Sequence, residues 1–163
     1  MIQYEKELNL NKVQIDSLLA KYQTFEKIKI ENKENELNES LAPPKPLPSE
    51  YENIVQIINP EQTNKWLIIK NKKEAIRKAN ESWTKLESEG LTKELDKNKT
   101  IQELTIYQLK FLVAAERSKG WKSQETLFLV RDVEQQKPDL LKNLEAITRS
   151  KAKSTNAKNA LTW

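Results

Sequence analysis

Residues 59–90 read NPEQTNKWLIIKNKKEAIRKANESWTKLESEG and contain one long amphipathic pattern. Apolar side chains recur every three or four positions, as they do along the buried face of a helix. They are Trp66, Ile69, Ile76, Ala79, Trp83 and Leu86. Pro60 suits the first position of a helix, and Gly90 stands where a left-handed C-cap would fall. The stretch therefore predicts one helix that continues to about Glu89.

The flanking segments predict further helices. Ser49 and Glu52 have the spacing of a capping box, in which each side chain binds the other residue's backbone N–H. After Gly90 a helix begins either at Thr100 or, with better support, at Thr105, where Gln108 completes the same kind of box. Apolar residues surround the helix from Ile106 to Ala115, which predicts the most buried helix of the set.

Two more helices follow. Gly120 ends the preceding helix, Ser123 caps the next one, and Pro138 opens the last, whose apolar face includes Leu144. The whole sequence has only two glycines and six prolines, whereas β-sandwiches and barrels need turn residues at regular short intervals. We therefore expect an all-α fold in which residues 49–150 form a compact bundle of about five helices.

Residues 1–30 predict a separate amphipathic helix. Asn11 can cap it, and Gln14 can reach back to the cap. Its seam is a candidate protein-interaction surface, because a helix on a spacer can bury its apolar side against another subunit. The seam residues are Ile15, Leu18, Tyr22 and Phe25.

Residues 31–48 are expected to form the spacer. Four of the six residues from Pro43 to Pro48 are proline, which has no backbone N–H and favours extended chain. The Pro43–Pro46 pair also has the PxxP spacing that aromatic grooves read, although a semi-rigid linker is the commoner meaning of such a segment.

Residues 151–163 predict a flexible basic tail. The net charge is +4, and residues 1–147 carry equal numbers of basic and acidic side chains. The excess lies on Arg149, Lys151, Lys153 and Lys158, with no acid among them. Such a run attracts nucleic-acid phosphates whatever the base sequence, or it serves only to keep the chain soluble.

Lys70, Lys73 and Arg77 form a second candidate nucleic-acid surface, on one flank of the long helix. Trp66 and Trp83 lie on the adjacent apolar stripe, so cations and stacking rings could follow a single strand together. Glu74 and Glu81 intrude nearby, and tryptophans at helical spacing usually belong to a core. Both interpretations stay open at this stage.

The composition argues against catalysis. The sequence has no histidine and no cysteine, which removes the usual general base, the thiolate nucleophile and the commonest zinc ligands. Its two glycines, Gly90 and Gly120, cannot form a phosphate-binding loop. We expect no enzyme activity, no metal and no cofactor. The N-terminal stretch is charged and no run of 18 apolar residues occurs, so a cytoplasmic or virion location is expected, without membrane contact.

Residues 101–117, IQELTIYQLKFLVAAER, resemble small helical assembly proteins of tailed bacteriophages. In particular they are similar to tail-assembly chaperones, in which a Leu-Thr-x-x-Gln-Leu helix start leads to Ala-Ala-Glu-Arg or a near variant. The similarity continues through Leu129, Val130, Arg131 and Leu144, and so covers about residues 100–146. It implies a non-enzymatic role in assembling or building a virion, together with other protein subunits. The alternative is a nucleic-acid-binding helical subunit of a nucleoprotein complex, comparable to the small subunits of CRISPR effectors.

Overall fold

The computed structural model describes residues 4–37, 43–119 and 124–160, and the side chains of all of these except 119, 124–127 and 154–160. These residues contain seven helices and no strand, which confirms the all-α prediction. The helices are α1 (Glu5–Leu8), α2 (Lys12–Leu37), α3 (Glu50–Val55), α4 (Pro60–Ser88), α5 (Lys97–Lys119), α6 (Gln124–Gln135) and α7 (Asp139–Ala160).

The chain divides into two compact units, and the division differs from the predicted domains. Unit 1 contains Met1–Lys70 and Glu116–Lys122, and unit 2 contains Asn71–Ala115 and Ser123–Trp163. The helices α1 and α2 thus belong to the same unit as α3 and the first part of α4, instead of forming a separate N-terminal arm. The predicted bundle from Ser49 to Ser150 is likewise split between the two units.

Three predicted helix boundaries are confirmed, two by hydrogen bonds and one by backbone conformation. The Gln14 N–H donates to Asn11 Oδ1 at 2.9 Å, and the Asn11 N–H donates to Gln14 Oε1 at 3.1 Å. The Glu52 N–H donates to Ser49 Oγ at 3.1 Å. After α4, Gly90 has a φ of 71°, the left-handed conformation that glycine adopts without strain.

A second capping box at Asn59 and Gln62 meets the one at Asn11 and Gln14. The Gln62 N–H donates to Asn59 Oδ1 at 2.8 Å, and the Asn59 N–H donates to Gln62 Oε1 at 3.0 Å. Gln14 Nε2 then donates to Gln62 Oε1 at 2.8 Å, and Gln62 Nε2 donates to the Leu8 carbonyl at 3.1 Å. This amide clasp, Gln14 with Gln62, joins the first turn of α2 to the first turn of α4.

Unit 1 buries apolar side chains from all four of its N-terminal elements. The Trp66 ring stacks on Tyr51 with a centroid separation of 6.5 Å, and only 1% of Trp66 is exposed. The buried apolar residues of this unit are Leu8, Leu10, Leu18, Ile54, Ile58, Trp66 and Leu67.

Unit 2 has one apolar cluster drawn from α4, α5 and α7. Its buried members are Ala79, Leu86, Leu104, Tyr107, Leu141 and Leu144. Partly buried Leu91, Ile101, Val133 and Leu140 pack against it. The loop after α4 and the end of α6 therefore also contribute to this core.

The most buried helix is α4, and the expectation that Ile106–Ala115 would hold that position is wrong. Ile106 is 51% exposed, whereas Leu67, Ala75 and Leu86 of α4 are fully buried. The buried face of α4 also differs from the predicted apolar stripe, because Ile76 of that stripe is 41% exposed. An all-round apolar pattern does not say which neighbours are available to cover each side.

The start of α5 also differs from both predicted positions. Asp96 caps the helix, because its Oδ1 accepts the Lys99 N–H at 2.7 Å. Thr105 lies inside the helix, where its Oγ1 donates to the Ile101 carbonyl at 2.7 Å. The first turn, from Lys97 to Thr100, has almost no apolar residues, so periodicity could not mark it.

Two helices run further than predicted. The helix α2 continues to Leu37, into the segment expected to be a linker, and α7 continues to Ala160, over most of the expected flexible tail. Both extensions lack glycine and proline and contain good helix formers such as Glu, Lys and Ala. In α7, Lys151 Nζ also lies 2.6 Å from Glu89 Oε2, which holds the backbone at this point. Gly120, Ser123, Trp163 and the Lys158 side chain lie outside the described residues.

The proline-rich segment returns along the end of α2. Residues 43–49 form no helix, and the Lys45 N–H donates to Asn32 Oδ1 at 2.8 Å. Asn32 Nδ2 donates to the Lys45 carbonyl at 2.9 Å, and Lys45 Nζ lies 2.6 Å from Glu31 Oε2. That ion pair lowers the pKa of the Glu31 carboxyl. The segment is therefore fixed to α2 at one point.

Replacing Gln62 with alanine should lower the free energy of unfolding by about 1–2 kcal/mol, because it removes a capping bond and leaves the Leu8 carbonyl without a donor. The matched control is Gln23→Ala, which removes the same side chain from an exposed position of α2. Urea unfolding followed by circular dichroism measures both. Equal stability of the two variants would contradict the role of the clasp.

Candidate interaction surface

The predicted seam residues of α2 differ in how far they are buried. Leu18 is 6% exposed and packs into unit 1, and Ile15 and Phe25 are half-buried. Tyr22 is 60% exposed. The 3, 4 pattern read from the sequence therefore follows the inward side of α2 for most of its length, and only Tyr22 is placed for contact with another molecule.

A different set of apolar residues lies on the outside of α2. Leu19 is 39% exposed, Ile30 is 57% and Leu37 is 73%. At 3.6 residues per turn, separations of eleven and seven residues place these three side chains within about 20° of one another around the helix axis. Tyr22 lies one turn beyond Leu19 on the flank of this line. We call these four residues, Leu19, Tyr22, Ile30 and Leu37, the outer stripe.

Two charged residues interrupt the outer stripe. Glu26 and Lys33 lie between its apolar members, and Glu26 forms a 3.6 Å ion pair with Lys29. Lys33 is exposed. The stripe thus consists of apolar positions separated by solvated charges, and a complementary surface must leave water or opposite charge at these two points.

Sequence reasoning missed the outer stripe because α2 is apolar on two sides. The inward residues repeat every three or four positions, which is the periodicity that identifies the buried face of a helix. The outward residues are eleven and seven apart, so no single window of two turns contains more than two of them. The apolar residues of α2 that fall outside the inward repeat were the available signal.

The flank proposed for nucleic acid is largely occupied by ion pairs. In unit 1, Lys70 Nζ lies 2.6 Å from Glu50 Oε2 and 3.6 Å from Glu116 Oε1, and it stands 5.1 Å from the centroid of the Trp66 ring. These two ammonium–carboxylate contacts neutralise the positive charge with which Lys70 would bind a phosphate.

In unit 2, Arg77 is held between Glu74 and Glu81, and one of its Nη atoms lies 2.5 Å from Glu74 Oε1. The Arg77 hydrogen bond lowers the pKa of the Glu74 carboxyl, and Glu74 in turn raises the pKa of Arg77. Lys73 is exposed and makes no ion pair with any described residue. Trp83 is only 5% exposed, so it cannot stack on a base.

The C-terminal cations lie on a helix instead of a loose tail. The Arg149 side chain is 79% exposed and only 3.9 Å from Glu145 Oε2, and Lys153 is exposed one turn later on the same face of α7. Lys151 is paired with Glu89. Arg149 and Lys153 are therefore the two predicted cations that α7 presents to solvent together.

Within the described parts of the chain, no three Asp, Glu, His or Cys side chains converge as a metal site would require. No helix in these parts is long and apolar enough to cross a bilayer.

Comparisons with known proteins identify no relative of this chain. No protein-family model matches the sequence, and neither curated proteins nor solved structures give a significant match. Function is therefore inferred from the surfaces above.

Proposed function

We propose that the protein is a non-enzymatic interaction or assembly protein that buries the outer stripe of α2 against another protein subunit. The observation that carries the proposal is the two-sided apolar character of α2. Its inner side is fixed in unit 1 through Leu18 and the Gln14 clasp, so its outer side cannot turn inward. Covering Ile30 and Leu37 removes apolar surface from water, which favours association with another subunit.

The stripe is one anchor within a larger contact. Full burial of a leucine or isoleucine side chain contributes about 1.5–3 kcal/mol, and these residues are already partly buried, so the four together contribute about 4 kcal/mol. A free energy of about 4 kcal/mol corresponds to a dissociation constant of about 1 mM before the entropy of association is considered. A stable contact needs further surface, which fits a subunit that is held at several points of an assembly.

We further propose assembly of a phage-like virion or tail as the setting. The resemblance of residues 101–117 to tail-assembly chaperones supports it, and α5 and α6 supply the two successive helices of that pattern. One feature departs from the pattern. Leu104–Leu109 lies inside α5, which already begins at Lys97, so these residues are not a helix start.

A nucleic-acid-binding subunit is the second candidate. The exposed pair Arg149 and Lys153 supports it, since two cations one turn apart can contact neighbouring phosphates. The ion pairs of Lys70 and Arg77 remove support from the other flank.

The first test isolates the tagged protein with its native partners. An Ile30→Asp/Leu37→Asp variant should lose the complexes that the wild type retains, because each substitution places a carboxylate in the apolar contact. The control is Val13→Asp, which changes a residue that is also exposed, at 74%, but lies on another side of α2. Size-exclusion chromatography with light scattering measures the complexes. The proposal would be contradicted if the wild type, Ile30→Asp/Leu37→Asp and Val13→Asp all retained the same complexes. It would also be contradicted if only Val13→Asp lost them.

The second test addresses nucleic acid. Arg149→Gln/Lys153→Gln should weaken binding to single-stranded DNA and reduce the slope of log affinity against log salt by about 1.5, at roughly 0.7–0.9 per phosphate contact. Lys65→Gln/Lys72→Gln is the control, since it removes the same charge from exposed positions of α4 that belong to neither candidate surface. Fluorescence anisotropy at several salt concentrations gives the slopes. Equal slopes for the two double variants would exclude α7 as the contact.

A further inference from the structure

Unit 2 contains a pocket between α4, α5 and α7, closed at one side by the end of α6. Its volume is about 490 Å³, within the roughly 300–1,000 Å³ range of small-molecule sites. Tyr107, Phe111, Leu141 and Leu144 supply its apolar lining. The Tyr107 and Phe111 rings stand 6.4 Å apart at 35° to each other, so they form an aromatic wall. The outer stripe lies in unit 1, and this pocket is independent of it.

The charges around the pocket are not balanced. Lys85, Lys137 and Arg149 line it together with Glu134 and Glu145. Lys137 Nζ lies 2.5 Å from Glu145 Oε1, and this hydrogen bond, with smaller contributions from the Tyr107 and Glu134 charges, raises the pKa of Lys137. Glu145 is therefore paired with Lys137.

Lys85 lies on the α4 wall and makes no ion pair with any described residue. The contact between Arg149 and Glu145 is long, with 3.9 Å between an Arg149 Nη atom and Glu145 Oε2, and the Arg149 side chain is mostly exposed. The lining thus carries one positive charge in excess, and Lys85 is the lining cation that pairs with no described acid, beside an apolar and aromatic lining. Burial also raises the pKa of the Tyr107 phenol.

We propose that this pocket binds a small aromatic anion, with its ring against Phe111, the more exposed of the two aromatic side chains, and its carboxylate or sulfonate group directed to Lys85. The aromatic wall and the two leucines exclude water from the ring, which gives most of the affinity. The lysine selects a negative head group. A neutral ring of the same shape binds through the lining alone.

The probe is 2-naphthoate, with 2-naphthamide as its uncharged counterpart, titrated into the full-length protein by calorimetry. Lys85→Gln should weaken 2-naphthoate binding about two- to fivefold at low salt, as expected for a solvent-exposed ion pair, and leave 2-naphthamide binding unchanged. Lys73→Gln is the matched control, because it removes the same charge from an exposed position of α4 outside the pocket.

A second variant tests the location without relying on charge. Gln108→Phe places a ring in the pocket from the α5 wall and should weaken both probes at least tenfold, while circular dichroism and the melting temperature show that the fold is retained. Saturable one-to-one binding that responds to Lys85→Gln and Gln108→Phe supports the site. No saturable binding by the wild type, equal loss with Lys73→Gln, or unchanged binding by Gln108→Phe would overturn it.

Discussion

Burial of one face of α4 is the constraint on which both units depend. Residues 60–70 of this helix belong to unit 1, where Trp66 and Leu67 are almost fully buried, and residues 71–88 belong to unit 2, where Ala79 and Leu86 are. The large side chains at 66, 67 and 86 and the small ones at 75 and 79 leave little freedom in how neighbours pack. In unit 1 the amide clasp then fixes the first turn of α2 against the first turn of α4, which decides the side of α2 that faces the core.

The features that could be predicted from the sequence depend on residues within one helical turn of each other. The boxes at Asn11 and Ser49 and the glycine stop at Gly90 are of this kind, as is the helical character of residues 60–88. The apolar pattern of Ile15, Leu18 and Phe25 follows the inward side of α2. That unit 1 itself covers this side could not be predicted, because it depends on a contact between Gln14 and Gln62, 48 residues apart. The same holds for the candidate site. Tyr22 was identified, but Ile30 and Leu37 become significant only when the partners of Leu18 are known.

Ion pairing changes the meaning of the basic residues. A count of lysines and arginines on α4 favours phosphate contact, yet Lys70 and Arg77 are each bound by two glutamates. Exposed pairs contribute little to stability, but they reduce the local positive potential. The surfaces described above that remain for recognition are an apolar line on α2, a mixed pocket in unit 2, and two cations on α7. The first favours a protein partner, and it is the only one of the three made mainly of apolar side chains.

The absence of cysteine allows a direct measurement of whether the outer stripe is covered in its native setting. The single variants Ile30→Cys and Val13→Cys each carry one thiol. In the wild type Ile30 is 57% exposed and Val13 is 74% exposed, so both thiols should react rapidly with a maleimide in the purified protein. In intact cells, where the assembly is present, the account predicts that Cys at position 30 is protected at least tenfold while Cys at position 13 still reacts. Equal labelling of the two positions in cells would contradict the claim that α2 is an interface.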